Sequence, residues 1–213
     1  MRFLALALVI VACAGAQAAT LVETAVGDLQ IWVLDDPDSN RVLVASRGGS
    51  RLIDLESSTV YLIASDGRAQ MVRTDALPDP ADNAPTYMVE KVGPGPRVAD
   101  HPTTRFLLRI GAKICSTIDA NLNLAVPLAG ATKAFAMLDR LESAVAGGNR
   151  PPCERIPYSG YARIGWGLRV VDDGVPAVET KAIIRDYEPL EDELAVPASA
   201  VDVTDALLDA TGE

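Results

Sequence analysis

An α+β domain built on a mostly antiparallel sheet is what this 213-residue chain predicts. Three observations carry that expectation. Short β-branched and apolar runs recur along the chain, most are separated by hairpin-length turns rich in Gly, Asp and Asn, and only one segment sustains helical periodicity.

The chain opens with Met1-Arg2 and an apolar run from Phe3 to Ala12, too short to span a hydrocarbon core of about 30 Å. Followed by the small residues that end in Ala16-Gln17-Ala18, it has the order of an export signal. Cleavage is expected before Ala19, so residues 1–18 are a signal peptide and residues 19–213 one folded domain. Ile10-Val11-Ala12-Cys13 also fits the pattern in which the cysteine is acylated and becomes the mature N-terminus. Soluble export to the periplasm or beyond is the main expectation, and a lipid anchor at Cys13 the alternative. No later segment approaches the roughly 18 consecutive apolar residues of a spanning helix.

Leu29 to Leu34 reads as a strand ended by the Asp35 to Asn40 cluster, Arg41 to Arg47 as a second, and Arg51 to Leu55 as a third beyond a Gly48-Gly49-Ser50 turn. Thr59 to Ala64 and Ala69 to Thr74 flank Asp66-Gly67, a strong hairpin signal. Residues 75–86 hold three prolines and three acidic residues. They cannot supply a full ladder of donors and read as a loop, either a surface crossover or a lid. Met88 to Val92 leads into Gly93-Pro94-Gly95-Pro96, and Thr103 to Ile110 and Ile114 to Ile118 form a hairpin around Gly111. Tyr161 to Val171 and Ala177 to Ile184 read as a last long hairpin around Asp172-Asp173-Gly174. Together these make about nine strands.

The helix is expected from Pro127 or Ala129 to Val145, because Ala134, Leu138, Leu141 and Val145 recur at helical spacing. Gly147-Gly148-Asn149 and Pro151-Pro152 end it. A second, short helix is expected from Ala206 to Ala210, capped by Thr204 or Asp205. After processing at Ala19, Cys115 and Cys153 are an even pair in an oxidising compartment, and one disulfide is expected. In the chain-entropy account a loop of about 38 residues makes that bond worth roughly 4 kcal/mol. It ties the strand before the helix to the loop after it.

Composition narrows the function. A net charge of −10 and an aromatic content of 5% speak against nucleic-acid partners, which need cationic faces and stacking platforms. His101 is the single histidine, so a multi-histidine metal site is excluded, and its place in a polar turn suits turn stabilisation rather than base catalysis. No nucleophile elbow, phosphate-binding glycine loop or Cys-x-x-Cys pair is present. Asp36 to Asn40 begins like a calcium loop, but Arg41 stands where glycine is needed and Arg47 where the bidentate glutamate belongs. Asp172-Asp173 and Glu191-Asp192-Glu193 are carboxylate clusters in turn contexts, which reads as solvation, with a carboxylate hydrolase as the minor alternative. No catalytic residue, metal or cofactor is expected.

Thr59 to Ala64 and Arg105 to Leu108 are apolar on both faces, so both sides of the sheet need cover. One helix covers one side; the other must meet a second layer, close into a barrel or line a cavity. Trp32, Tyr61, Ile63, Phe106, Leu108, Trp166 and Leu168 are the candidate lining of such a cavity, sized for a lipid or acyl chain, or else a packed core.

The succession Arg51-Leu52-Ile53-Asp54, Val60-Tyr61-Leu62, Pro102-Thr103-Thr104-Arg105-Phe106, Cys115 before a helix, Gly174-Val175-Pro176 and Ala195-Val196-Pro197 resembles a family of uncharacterised exported bacterial proteins. That family is similar in fold to the Lol-type outer-membrane lipoprotein carriers. The resemblance implies a curved half-barrel with helices over its concave face and, by fold analogy alone, lipid or lipoprotein binding. It supplies no catalytic residues. The functional expectation is a non-catalytic envelope protein holding an apolar ligand or a lipoprotein acyl chain. The alternative is an interaction protein presenting an edge strand or loop to an envelope partner.

Overall fold

The computed structural model describes residues 18–146, 150–172 and 174–211. The expected signal peptide up to Gln17, Cys13, the helix-ending residues 147–149 and Asp173 lie outside the described residues.

Twelve strands form one sheet among the described residues, where the sequence predicts about nine. Six come in succession: β1 (Ala19–Val26), β2 (Leu29–Asp36), β3 (Arg41–Ser46), β4 (Gly49–Asp54), β5 (Thr59–Ala64) and β6 (Ala69–Arg73). After the Pro-rich stretch follow β7 (Met88–Pro94), β8 (Thr104–Ile110) and β9 (Lys113–Asn121), then, beyond the helix, β10 (Trp166–Asp172), β11 (Val175–Tyr187) and β12 (Ala200–Asp202). Across the sheet the order is β12-β6-β5-β4-β3-β2-β1-β11-β10-β9-β8-β7. The pairs are antiparallel except β12 with β6, and the sheet is open, with β12 and β7 at its edges.

Two expectations need correction. β1 had not been assigned as a strand; its residues continue the sheet because they pair on both sides, with β2 and β11. The strand expected from Tyr161 begins only at Trp166, since Tyr158–Tyr161 forms a helical turn, α2, and Ala162–Ile164 a 3-10 turn. Gly165, at φ +100°, reverses the chain there against the backbone of Asn121 and Leu122, where a Cβ has no room. Within residues 75–86, Leu77 is buried in the main core, and Arg140 of the helix pairs with Asp79 at 3.0 Å.

The long helix, α1 (Ala129–Ala146), lies across β2 and β3. Its buried stripe is Ala131, Ala134, Leu138, Leu141 and Ala144. The expected last member, Val145, is 66% exposed, because the stripe closes three residues after Leu141 rather than four. Beneath α1 the inward residues of the first strands, Val22, Val33, Val42, Ile53, Val60 and Val72, are at most 2% exposed. The short α3 (Thr204–Thr211) adds Leu207 and Leu208 to the same core. Its start is fixed by Asp202, whose carboxylate accepts from the Thr204 N–H at 2.9 Å.

The opposite face carries a separate cluster of Leu34 and Leu52 with Leu21, Leu43, Tyr61, Ile63 and Tyr187. Leu194, from the connection between β11 and β12, covers it, and Arg41 Nη1 donates to the Leu194 carbonyl at 3.1 Å. This is how a strand such as Thr59–Ala64 can be apolar on both sides: a helix shields one face and the returning chain the other.

Candidate functional site: a groove between the helix and the sheet

β8, β9 and β10 have no long helix above them. Their cover is the segment from Arg150 to Gly165, which includes α2 and is tethered to β9 by the Cys115–Cys153 disulfide. The bond expected from the sequence is therefore present, with a Cα–Cα distance of 5.3 Å. Such short turns present few side chains downward, and a groove of about 710 Å³ remains between α1, this segment and the sheet. That volume falls within the range of small-molecule sites.

Its floor is apolar, formed by Ile31, Val33, Leu108, Ile118 and Val170. Phe135 and Leu138 of α1, three residues apart on one helix face, wall one side, and Ile156 and Ile164 the other. Val26, Lys113 and Asp172 stand at strand ends on the same side of the sheet and form the mouth. From Trp166 at the start of β10 to Asp172 at the mouth is roughly 20 Å at about 3.3 Å per residue. A chain of packed rings runs along the inner wall: Phe135 meets Trp166 edge-on at 5.6 Å and Tyr158 at 5.6 Å, and Tyr158 meets Tyr161 at 5.3 Å.

The seven residues expected to share one cavity are divided. Leu108 and Trp166 line the groove. Leu168 is fully buried in the main core, and Phe106 packs in the cluster around Leu108 and Ile118. Trp32, Tyr61 and Ile63 belong elsewhere, because side chains alternate along a strand. Ile31 and Val33 point into the groove, so Trp32 between them points away, and Tyr61 and Ile63 join the cluster under Leu194. Phe135, Leu138, Ile118 and Tyr158 were missed. The signal for the first two was present, since Leu138 sits on the helix stripe and Phe135, three residues before it, borders it.

Polar groups also line the groove. Asp139 accepts from the Tyr158 N–H at 2.9 Å and faces Arg150 at 3.7 Å; burial pushes its carboxyl above the usual carboxylate range. Burial likewise raises the Tyr158 phenol to about 12 and pushes Tyr161 up, so both stay neutral hydrogen-bonding groups. Arg51 of β4 reaches Glu142 of α1 at 3.3 Å across the far end. Trp166 is 6% exposed, and its indole Nε1–H has no acceptor among the described residues.

The remaining sequence candidates lie in turns. Val98 and His101 exchange backbone hydrogen bonds around Ala99 and Asp100, both at positive φ, so His101 closes a tight turn. Glu193 accepts from the Leu190 N–H and the Tyr187 hydroxyl, which folds the Glu191-Asp192-Glu193 cluster into a local loop. Asp172 reaches the mouth of the groove.

No helix among the described residues is long and apolar enough to cross a membrane. No family model matches the chain, and no curated protein sequence is similar to it. Among solved structures, PNGF-II in a C2 crystal form is similar over 92% of this chain and 32% of its own, at 9% identity and a TM-score of 0.49. The P21 form of PNGF-II gives 93%, 34%, 10% and 0.43 in the same order. MucB is similar over 87% of this chain and 58% of its own, at 16% identity and a TM-score of 0.31. The chain thus spans about a third of the length of PNGF-II, and at these scores the likenesses assign it to no family.

Proposed function

We propose that this protein is a non-catalytic binding protein of the cell envelope that holds a lipid or an acyl chain in the groove between α1 and the sheet. The observation that carries the reading is the groove itself: about 710 Å³ of space over an apolar floor between α1, the Arg150–Gly165 segment and the sheet. Its length suits an extended hydrocarbon chain, and Lys113 and Asp172 stand at its mouth, where a head would meet water. The Cys115–Cys153 bond suits an oxidising compartment such as the periplasm. The test is native mass spectrometry of gently purified protein, with addition of a fluorescent apolar probe. Co-purifying lipid, or saturable probe binding that a Leu138→Trp substitution blocks, is the expected result. A protein free of lipid and indifferent to the probe contradicts it.

A second reading has one specific observation in its favour. β7 is an edge strand, with Met88 and Val92 each more than half exposed, and an extended segment of a partner could add to it. A Val89→Pro substitution, which perturbs that edge, should abolish capture of an envelope partner by cross-linking. Capture that survives it contradicts this alternative.

A further inference from the structure

The segment from Arg150 to Gly165, which forms the second wall of the groove, is held along two seams of different character. Toward the sheet the seam is covalent and apolar. The Cys115–Cys153 bond anchors it to β9, and Ile156, Tyr161 and Ile164 pack in one cluster with Leu108 and Ile118. Toward α1 the seam is built on polar contacts beside the Phe135–Tyr158 ring pair. The Tyr158 N–H donates to Asp139 at 2.9 Å, Arg150 donates to the Ser143 hydroxyl at 2.8 Å, and Arg150 faces Asp139 at 3.7 Å. Asp139 and Ser143, four residues apart, share one face of α1.

Pro157, at the N-cap of α2, has no side chain that can accept a hydrogen bond, so the Asp139 carboxylate supplies that cap from the opposite wall. Asp139 and Tyr158 both line the groove, and their hydrogen bond joins its two walls. The character of the seams decides which one parts. Opening the sheet side would expose apolar surface against a covalent tether. Polar groups that separate are solvated again, so each of their hydrogen bonds contributes little net free energy. We infer that Asp139 is a clasp: the segment swings on the Cys115–Cys153 bond, the seam with α1 parts at Asp139, and an acyl chain enters the groove sideways through the gap. This rests on the groove reading proposed above. A closed clasp slows entry and escape alike and has little part in equilibrium affinity.

The test pairs amide exchange at Tyr158, whose hydrogen Asp139 holds, with stopped-flow binding of the uncharged fluorophore N-phenylnaphthylamine. In Asp139→Ala, exchange at Tyr158 should quicken about tenfold, the equivalent of one hydrogen bond. The association and dissociation rates of the probe should rise together by about the same factor and leave its affinity within about threefold. Asp139→Asn, which keeps an acceptor for the Tyr158 N–H, should restore slow exchange and slow rates. A residue that only lines the wall would change dissociation and affinity without association, and a merely structural one would quicken exchange throughout β8 to β10; either result overturns the inference. Faster exchange at Tyr158 with unchanged probe rates overturns it too and leaves the groove reading standing. A wild-type protein that does not bind the probe removes the groove reading and the inference with it. If Asp139→Ala does not fold, Ser143→Ala loosens the same seam, with both probe rates expected to rise about threefold; unchanged rates there overturn the inference.

Discussion

The two halves of the sheet carry similar strands under different roofs. Over β2 to β6, α1 and α3 lay down a continuous stripe of side chains, and the residues beneath are almost wholly shielded from water. Over β8 to β10 the roof is a string of single turns from Arg150 to Gly165, tied on by a disulfide. A helix presents three or four apolar residues every two turns to the surface it covers; single turns present fewer, and the space they leave is the groove. A uniform sheet can therefore be a packed core at one end and leave a groove at the other, according to what the intervening chain supplies.

That contrast can be broken most strongly at the disulfide. Replacing Cys115 and Cys153 by serine should cost about 4 kcal/mol, read by chemical denaturation. Hydrogen exchange should accelerate in β8 to β10 before β3 to β5; uniform acceleration would mean that the two halves are one cooperative unit. Ile53→Ala probes the packed half. Ile53 is fully buried under α1, so the loss should be about 3 kcal/mol, with no change in affinity of the groove for an apolar probe.

A titrating group of β2 sits against the start of α1 in the packed half. Asp35 is 2% exposed and accepts the Ala131 N–H at 2.7 Å, in a fit so close that Gly130 leaves no room for a Cβ. Burial raises its carboxyl to about 6 from an ordinary 3.8, against the lowering effect of the Ala131 and Gly130 N–H groups, with Asp36 raising and Lys133 lowering it further. A raised pKa means that the folded state binds the proton more tightly. This contribution to stability is fully present below about pH 4 and is lost as pH rises through about 6, amounting to roughly 2 to 3 kcal/mol. Asp139 acts in the same direction and Asp54 and Asp202 in the opposite one. The slope that disappears in Asp35→Asn between pH 4 and 7 isolates Asp35. The smallest effect belongs to Arg51→Ala. It breaks an ion pair whose members are both about half exposed, and should change stability by under about 0.5 kcal/mol.

Much of this frame could be read from local chemistry. Asp66-Gly67 marks the β5–β6 turn, Leu138 and Leu141 mark the buried side of α1, and Cys115 pairs with Cys153. What lay beyond the sequence was sidedness. Trp32 and Trp166 look alike as large rings in apolar strands, and period-two alternation says which neighbours share a face but not which face meets the helix. The answer depends on Leu194, some 150 residues from the strands it covers, and on Gly165, whose positive φ starts β10 at Trp166. The groove was legible as a requirement for cover, and illegible as a place.

The two tryptophans offer the most direct measurement, since one lines the groove and the other faces away from it. A long-chain ester brominated along its chain quenches a tryptophan only on close approach. With Trp32→Phe, leaving Trp166, saturable quenching is expected; with Trp166→Phe, leaving Trp32, none is. Equal quenching of both, or quenching of Trp32 alone, would contradict a binding groove on the helix-covered face of the sheet.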